Sequence, residues 1–437
     1  MVNAKHDTHS YESTSTSGES GYQREIFDGN ALYDAYLRAK RGSDWKPRVQ
    51  QFEMNYLFEL SQIQKGLERM DYQFHPPSKF LTSERGKIRL IKGEQIHDRI
   101  VKHSLCDEVL NPVMQKYLIY DNGASIQGKG IRFTRERLLY HLRHFYATNG
   151  SNDGYILLFD FSKYYDNIIH EILLKLFAQY VTDERSLWLL KEAVARSQVD
   201  VSYMDEEEYE NCLNVLFNSI DYLLVDTEEL TGQKFMAKHL DIGDQVAQSS
   251  GIAYPMRIDN YIKIVKSVKF YGRYMDDGYV IHESKEFLQQ LLSEVVEVAQ
   301  ELGITINTRK TRICKLSERW RFLQTQYSLT ETGRVIQKIN PKRLTTMRRK
   351  MKKLAPKLTE KEFTDWFQSW FKNNYKIMSK QQRTNIETLF YELKEVTKCT
   401  QLPSPMAKEF PIWKRMVITS SARPTLTNES SPTPCPA

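Results

Sequence analysis

The sequence contains little cysteine and lacks a long apolar run. Its 437 residues include five cysteines, and none of them shows the paired spacing of a zinc site or a disulfide framework. This distribution favours a reducing compartment, and we expect a cytoplasmic protein. No apolar run approaches the ~18 residues that a membrane span requires, so we predict no membrane partner. Residues 1–21 are polar, rich in Ser and Thr, and have no apolar signal-peptide segment, which predicts a disordered tail.

Cations and aromatic residues are what the sequence has in quantity. Lys and Arg number 62 against 55 Asp and Glu, which gives a net charge of +7. This excess suits a polyanionic partner such as a nucleic acid but does not prove one. Most of the 25 tyrosines and 20 phenylalanines are expected in the core, and the length allows two or three subdomains.

Two adjacent acids, Asp276 and Asp277, lie in the middle of the apolar and aromatic residues 270–282. This pattern predicts a tight β-hairpin with the carboxylates at its tip. Adjacent carboxylates repel each other, and a pair of divalent cations relieves that repulsion because hard Mg²⁺ prefers carboxylate oxygen. The alternative is a solvated turn, which is the usual role of an Asp-Asp pair taken by itself.

A third acid lies inside the apolar run of residues 154–162, which turn-forming residues bound on both sides. The run predicts a buried strand. Asp160 is part of this strand, and a buried acid must be paired or must bind a metal ion.

Residues 274–277, Tyr-Met-Asp-Asp, resemble the Tyr-x-Asp-Asp box of reverse transcriptases, and further motifs follow the order of that family from residue 83 to residue 357. The resemblance implies an α+β fold of the right-hand polymerase type, with fingers, an antiparallel palm sheet and a helical thumb. It also implies RNA-templated DNA synthesis with two Mg²⁺ ions. Asp160 and Asp276 would then be catalytic residues that share both ions, with Asp277 nearer the turn and assisting.

Cations and aliphatic residues alternate in residues 83–92 after a turn at Gly86, which predicts a strand. Lys87 and Arg89 would project from one face of it, as a pair that neutralises a triphosphate. The alternative is a solvated edge strand protected by lysines. The segment is similar to the fingers of reverse transcriptases, which implies that both residues bind the incoming nucleotide.

Two further residues take their roles from the resemblance. Tyr165 follows Asp160 at the offset where the family has an aromatic side chain beneath the incoming sugar, which would exclude a ribose 2′-hydroxyl. A core tyrosine on a helix is the alternative, and the neighbouring Tyr164 makes the assignment by offset ambiguous. Lys310 resembles the lysine that approaches the leaving pyrophosphate as a general acid or a charge clamp. A surface lysine beside a strand is the alternative there.

Gly243 precedes a predicted apolar helix, where a glycine lets the backbone approach the nascent base pair. The family often has Pro-Gln-Gly here and Ser-Pro further on, whereas this chain has Ile242 and, later, Ala247 and Gln248. In having Gln at that last position, the chain resembles a bacterial subset that includes diversity-generating and defence-associated reverse transcriptases. Asp244 and Gln245 are explained equally well as helix-cap residues and as ligands of the nucleotide.

Composition and resemblance together divide the chain. The segments are a disordered tail (1–21), fingers (22–150), palm (151–337), helical thumb (338–418) and a second disordered tail (419–437). The palm includes a primer-grip hairpin (318–337) and an acidic insertion (183–238), which we expect to face away from the template because acidic runs repel nucleic acid. Residues 341–357, with cations on all sides, predict a helix that follows phosphates.

The resemblance implies a bacterial reverse transcriptase that takes deoxynucleotides, copies an RNA template into a DNA product, and works with a dedicated structured non-coding RNA in antiphage defence. The chain ends soon after the thumb, so we expect no RNase H, integrase or nuclease module. The alternatives are a diversity-generating or other retroelement enzyme, an RNA-directed RNA polymerase, and an RNA-binding protein with an idle palm. The oligomeric state stays open.

Overall fold

The computed structural model describes residues 24–84 and 87–399. Both predicted tails, the predicted turn at Gly86 and the end of the predicted thumb beyond residue 399 lie outside the described residues. Within the described ranges, no helix is long and apolar enough to cross a membrane.

The segment before the first strand is helical, as its apolar period predicts. Its helices are α1 (Gly29–Lys40), α2 (Pro47–Met54) and α3 (Tyr56–Arg69). Asp28 accepts a hydrogen bond from the Ala31 backbone N–H and so starts α1. Met70, in the left-handed conformation, ends α3. The buried faces of these helices join the same core as the palm strands, so the segment is a packed part of the molecule.

A β-hairpin and a long helical segment follow. Strands β1 (Ser78–Glu84) and β2 (Lys87–Gly93) pair antiparallel, which confirms the predicted strand. Helical structure continues through Pro112 to Gln115, and Pro112 lies just after a π-helical segment. The helical parts are α4 (Ile96–Ser104), a π-helical segment (Leu105–Leu110) and α5 (Asn111–Gln115).

An antiparallel sheet lies at the centre of the molecule. Its strands are β3 (Tyr155–Asp160), β4 (Tyr271–Tyr274), β5 (Asp277–His282) and β6 (Arg312–Lys315). They lie in the order β4-β5-β3-β6. Along β3, Ile156 and Leu158 share a core cluster with helix α6 (Ile131–Asn149), whereas Leu157 and Phe159 belong to the larger core. This alternation buries both faces and confirms the predicted buried strand.

Helices between β3 and β4 cover the sheet and include the insertion. They are α7 (His170–Ala178), α8 (Glu184–Ala195), α9 (Glu206–Asn214), α10 (Gln245–Ala253) and α11 (Met256–Asn260). The insertion has two parts. Helix α8 packs its buried residues into the main core, whereas α9 and its neighbours pack around a small separate core. That small core consists of Val199, Val201, Phe217 and Met236.

After β5, helix α12 (Lys285–Glu301) packs on the palm and ends at Gly303, as predicted. A second antiparallel sheet follows, formed by β7 (Trp320–Phe322), β8 (Thr325–Leu329) and β9 (Val335–Ile339). Leu323 and Gln324 form the turn after β7 with φ of 44° and 66°. This left-handed conformation favours glycine, yet the hairpin is present with Gln324 where the family's pattern has a glycine.

The remaining described residues are helical and pack around their own aromatic core. The helices are α13 (Pro341–Leu354), α14 (Glu360–Asn374) and α15 (Lys380–Cys399). One expectation was wrong here. Cations do not cover all sides of α13, because one face is apolar and buried, formed by Leu344, Met347 and Met351. Tyr375 is 45% exposed and lies against the guanidinium of Arg383.

Candidate active site

The ends of two neighbouring strands bring the predicted acids together. Asp160 is the last residue of β3 and lies opposite Asp277, the first residue of β5. The Phe161 backbone N–H donates to the Asp276 carbonyl at 3.2 Å, so all three acids lie at one edge of the palm sheet. Our expected order within the hairpin was wrong. Asp276 lies in the turn itself, after Met275 with φ of +54°, and Asp277 lies in the strand.

Negative charge is crowded at this edge. Burial raises the pKa of Asp276, and the neighbouring charge of Asp160 raises it further. Burial followed by the charges of Asp276 and Asp160 raises the pKa of Asp277 to about 7. Asp160 has compensating partners, since both of its oxygens lie 2.7 Å from the ammonium of Lys310 and one accepts a hydrogen bond from the Asn307 amide.

The donor set fits hard divalent cations. It offers carboxylate oxygens whose mutual repulsion a cation would relieve, and such oxygens are the ligands that Mg²⁺ prefers. Within residues 24–84 and 87–399, no three His, Cys, Asp or Glu side chains are gathered closely enough to form a ready metal cluster. Mutual repulsion among carboxylates works against such close spacing.

A cleft of about 1310 Å³ opens at the same edge and brings most of the predicted site residues together. Asp160, Asp276, Tyr165, Gly243, Arg89 and Lys310 all line it. Lys87 begins β2, two residues before Arg89, but its side chain is not among those described. The cleft therefore combines acids with cations that come from distant parts of the chain, among them Arg89 and Lys310.

The structure separates the two adjacent tyrosines. Tyr164 is buried, and its hydroxyl donates to the Gly251 carbonyl at 2.9 Å. Tyr165 is half-buried, lines the cleft and directs its hydroxyl to the Met275 sulfur at 3.7 Å. Both lie in a short 3₁₀ turn (Tyr164–Asn167) rather than on a longer helix. Both residues line the cleft, and Tyr165, the one at the family offset, is the less buried of the two.

Gly243 has φ of +101°, a conformation that L side chains rarely adopt. A Cβ at this position would meet nothing within 4 Å, so the backbone conformation and not close packing calls for glycine. Asp244 caps α10 by accepting from the Val246 N–H, as predicted, and its carboxylate also lies 2.8 Å from the buried ammonium of Lys102. The loop that lines the cleft is thus fixed from its buried side.

Sequence reasoning missed the residue that holds the turn containing Asp276. Arg273 is fully buried, and its guanidinium makes a two-point contact with the equally buried Asp259 at 2.8 and 2.6 Å. The same guanidinium donates to the carbonyls of Met275 at 2.8 Å and Ile252 at 2.9 Å. An Arg inside a predicted strand signals a buried charge that needs a partner, but nothing local indicates that the partner is Asp259.

The insertion does not face wholly away from the cleft, contrary to our expectation. Its acidic run does, because Asp205 caps α9 and the acids that follow are exposed. However, a stretch after α9 reaches the cleft and forms part of its lining. These residues are Leu216, Asn218, Ser219 and Ile220. No signal in the sequence marks this stretch, because it has no charge pattern of its own and lies between two acidic runs.

Comparison with known proteins agrees with this arrangement. Residues 82–327 match the family model described as reverse transcriptase (RNA-dependent DNA polymerase). The match spans more than half of the chain, and the chain therefore belongs to the reverse transcriptase family. The description of that family names RNA-dependent DNA polymerases, which are nucleotidyltransferases.

More distant comparisons add little. No curated protein matches the sequence. Among solved structures, the telomerase of Candida albicans in complex with a TWJ fragment of telomeric RNA is similar, with 12% sequence identity and a TM-score of 0.40. The matched region covers 81% of this chain and 64% of that one, so the chain spans less than two thirds of the neighbour's length.

Proposed function

We propose that the chain catalyses RNA-templated DNA synthesis, with Asp160 and Asp276 as the principal Mg²⁺ ligands and Asp277 assisting. One observation carries this proposal: the three acids lie at one edge of the sheet, where Asp160 and Asp276 line a cleft together with Arg89 and Lys310. Two bound Mg²⁺ ions would supply charge neutralisation and activation of the primer hydroxyl. The alternative of an RNA-binding protein with an idle palm requires no such convergence of buried acids.

The cations and the ring define how a deoxynucleotide would lie in the cleft. Arg89, with Lys87 beside it on β2, would hold the triphosphate through charge-assisted hydrogen bonds. Lys310 would act near the leaving pyrophosphate as a proton donor or a charge clamp. Tyr165 would lie beneath the sugar and exclude a 2′-hydroxyl, while the backbone at Gly243 would approach the nascent base pair.

Nucleic acid would leave the cleft along the exposed side of α13. The cations of this helix and the turn after it lie on its solvent side, opposite the buried apolar face. The exposed ones are Lys342, Arg349, Lys350, Lys352, Lys353 and Lys357. A row of exposed cations on a helix suits contacts to successive phosphates.

Primer extension on an RNA template tests the central assignment. We expect incorporation of deoxynucleotides, and Asp276→Asn should lower it by at least ~10³-fold because a metal ligand is lost. Asp153→Asn is the matched control, since this exposed acid lies just before β3, at the opposite end of the strand from Asp160. Calorimetric titration with Mg²⁺ gives a second readout, in which Asp276→Asn should lose binding. Full activity of Asp276→Asn would contradict the proposal.

The proposed role of Tyr165 in excluding ribonucleotides has its own test. Tyr165→Ala should admit ribonucleotides, because the ring that excludes the 2′-hydroxyl is gone. The measurement is the ratio of kcat/KM for a deoxynucleotide and its ribonucleotide. An unchanged ratio would contradict this role of Tyr165. A preference of the wild type for ribonucleotides would favour an RNA-directed RNA polymerase instead.

We further propose that the enzyme is bacterial and works with a dedicated non-coding RNA in antiphage defence. Gln248, which lines the cleft, supports this through its similarity to the bacterial subset that has Gln at this position. A diversity-generating or other retroelement enzyme is the alternative. Sequencing the nucleic acid that co-purifies with the chain distinguishes them. One recurrent structured RNA supports the proposal, whereas RNA copied from a variable repeat favours the retroelement.

A further inference from the structure

The stretch of the insertion that reaches the cleft is firmly attached to the palm. The Asn167 side chain both accepts from the Phe217 N–H at 2.9 Å and donates to the Phe217 carbonyl at 3.1 Å. The Ser219 hydroxyl donates to the Asp166 carboxylate, and the Lys238 ammonium donates to the Val215 carbonyl at 3.0 Å. Asp166 and Asn167 belong to the same 3₁₀ turn as Tyr165. The stretch is therefore positioned relative to the sugar side of the cleft.

A buried anchor supports these hydrogen bonds from behind. Phe217 is 5% exposed and packs with Val199, Val201 and Met236 in the small core of the insertion. Its neighbours on both sides face the cleft, while its own ring points into that core. Because the anchor and the polar contacts act on consecutive residues, residues 216–220 form a fixed surface, which we call the cleft wall.

Charge is sorted within the insertion. Among its described residues, those that line the cleft are all neutral. The nearest acid in the sequence is Asp221, which is exposed, accepts a hydrogen bond from the Asn218 amide and is not among the lining residues. A neutral lining does not repel a triphosphate as an acidic one would. The wall instead presents two aliphatic side chains and two small polar ones. Neutral side chains of this kind suit contacts with the uncharged part of a nucleotide. The positive charges of Arg89 and Lys310 would attract its phosphates.

We infer that the cleft wall, residues 216–220, is part of the nucleotide site and contacts the nucleoside portion of the incoming deoxynucleotide. The inference rests on the proposed function and gives the insertion a role in substrate binding. The Asn218 amide nitrogen donates to Asp221 at 2.6 Å, which leaves its side-chain oxygen to accept a hydrogen bond from a nucleotide. Ile220 lines the same cleft as Tyr165 and offers apolar contact there. Both side chains are half-buried, so truncating either one leaves the small core behind the wall intact.

Two pairs of matched variants test the inference in the full chain. Asn218→Ala and Ile220→Ala remove side chains of the wall, while Asn211→Ala and Val215→Ala make the same kinds of change on the outer side of the insertion, away from the cleft. The wall variants should raise KM for a deoxynucleotide by about fivefold or more with kcat nearly unchanged, as expected when a binding contact is lost. The outer variants should match the wild type in both constants.

Equilibrium binding of dATP, measured by calorimetry, separates this inference from the proposed function. If the wild type binds dATP but incorporates none, the proposed function fails and the wall is judged by the dissociation constants alone. Unchanged KM and Kd in both wall variants would overturn the inference and leave the proposed function standing. Equal effects of wall and outer variants would also overturn it, since the cause would then be folding of the insertion. A wild type that does not bind dATP at all contradicts both.

Discussion

Replacing Asp259 with Asn tests how the turn that carries the acids is held. Asp259 and Arg273 are both fully buried, and their contact at 2.6 Å joins α11 to β4. An Asn keeps the volume of the side chain but offers one acceptor and no charge. The guanidinium would then lie in the core without a counter-ion. Breaking a buried pair from one side costs about 3–5 kcal/mol, and we expect Asp259→Asn to lose that much free energy of unfolding.

Urea unfolding followed by circular dichroism measures the loss. Glu171→Gln is the control, because its pair with Lys175 is exposed on α7 and should not affect stability measurably. The combination of Asp259→Leu with Arg273→Met removes both charges and should recover much of the loss, although the Met275 carbonyl then lacks its donor. A loss in Asp259→Asn no larger than that of the control would refute the reasoning. So would a double variant that is less stable than the single one.

Two other predictions concern Gly251, which lies near the cleft, and His239, which lines it. A Cβ at Gly251 would lie 2.7 Å from the Tyr165 hydroxyl, so Gly251→Ala should push the ring toward the cleft and lower deoxynucleotide incorporation about tenfold, at an overpacking cost of about 1–3 kcal/mol; a wild-type rate would contradict this. Burial lowers the pKa of His239, but hydrogen bonds with Asp166 and Asp241 outweigh it and raise the pKa. A raised pKa in the folded state stabilises the protein fully below pH ~6.5 and loses that contribution as the pH rises through the folded pKa. Thermal unfolding should therefore show wild-type stability falling above that pH, whereas His239→Gln shows a flatter profile.

The acids of the site could be predicted from the sequence because their signals are local. Asp160 ends an apolar run, and the Asp276-Asp277 pair interrupts an aromatic one, so strand periodicity places each near the end of a strand. The hairpin pairs β4 with β5, whereas the neighbouring position of β3 was implied by the resemblance to reverse transcriptases. The same local signals predicted the cap at Asp244 and the end of α12 at Gly303, which the structure confirms.

The remaining features depend on contacts between distant elements. Lys310 reaches Asp160 across 150 residues of sequence, and no local pattern encodes that distance. Which of Tyr164 and Tyr165 is more exposed in the cleft depends on a 3₁₀ turn, and periodicity does not distinguish a single turn of this kind. The prediction for the insertion relied on its acidic runs. These runs suggested that the whole insertion faces away from the template, but they carry no information about the neutral residues between them.

The placement of charge around the cleft argues that binding and chemistry depend on different elements. The acids come from the ends of β3 and β5, the cations from β2 and the segment before β6, and the neutral wall from the insertion. A change in the wall leaves the electrostatic field at the carboxylates nearly unaltered, since it adds or removes no charge. A change at Asp276 alters that field directly. Variants of the wall should therefore act on nucleotide affinity and variants of the acids on the chemical step, and a wall variant that mainly lowered kcat would contradict this division.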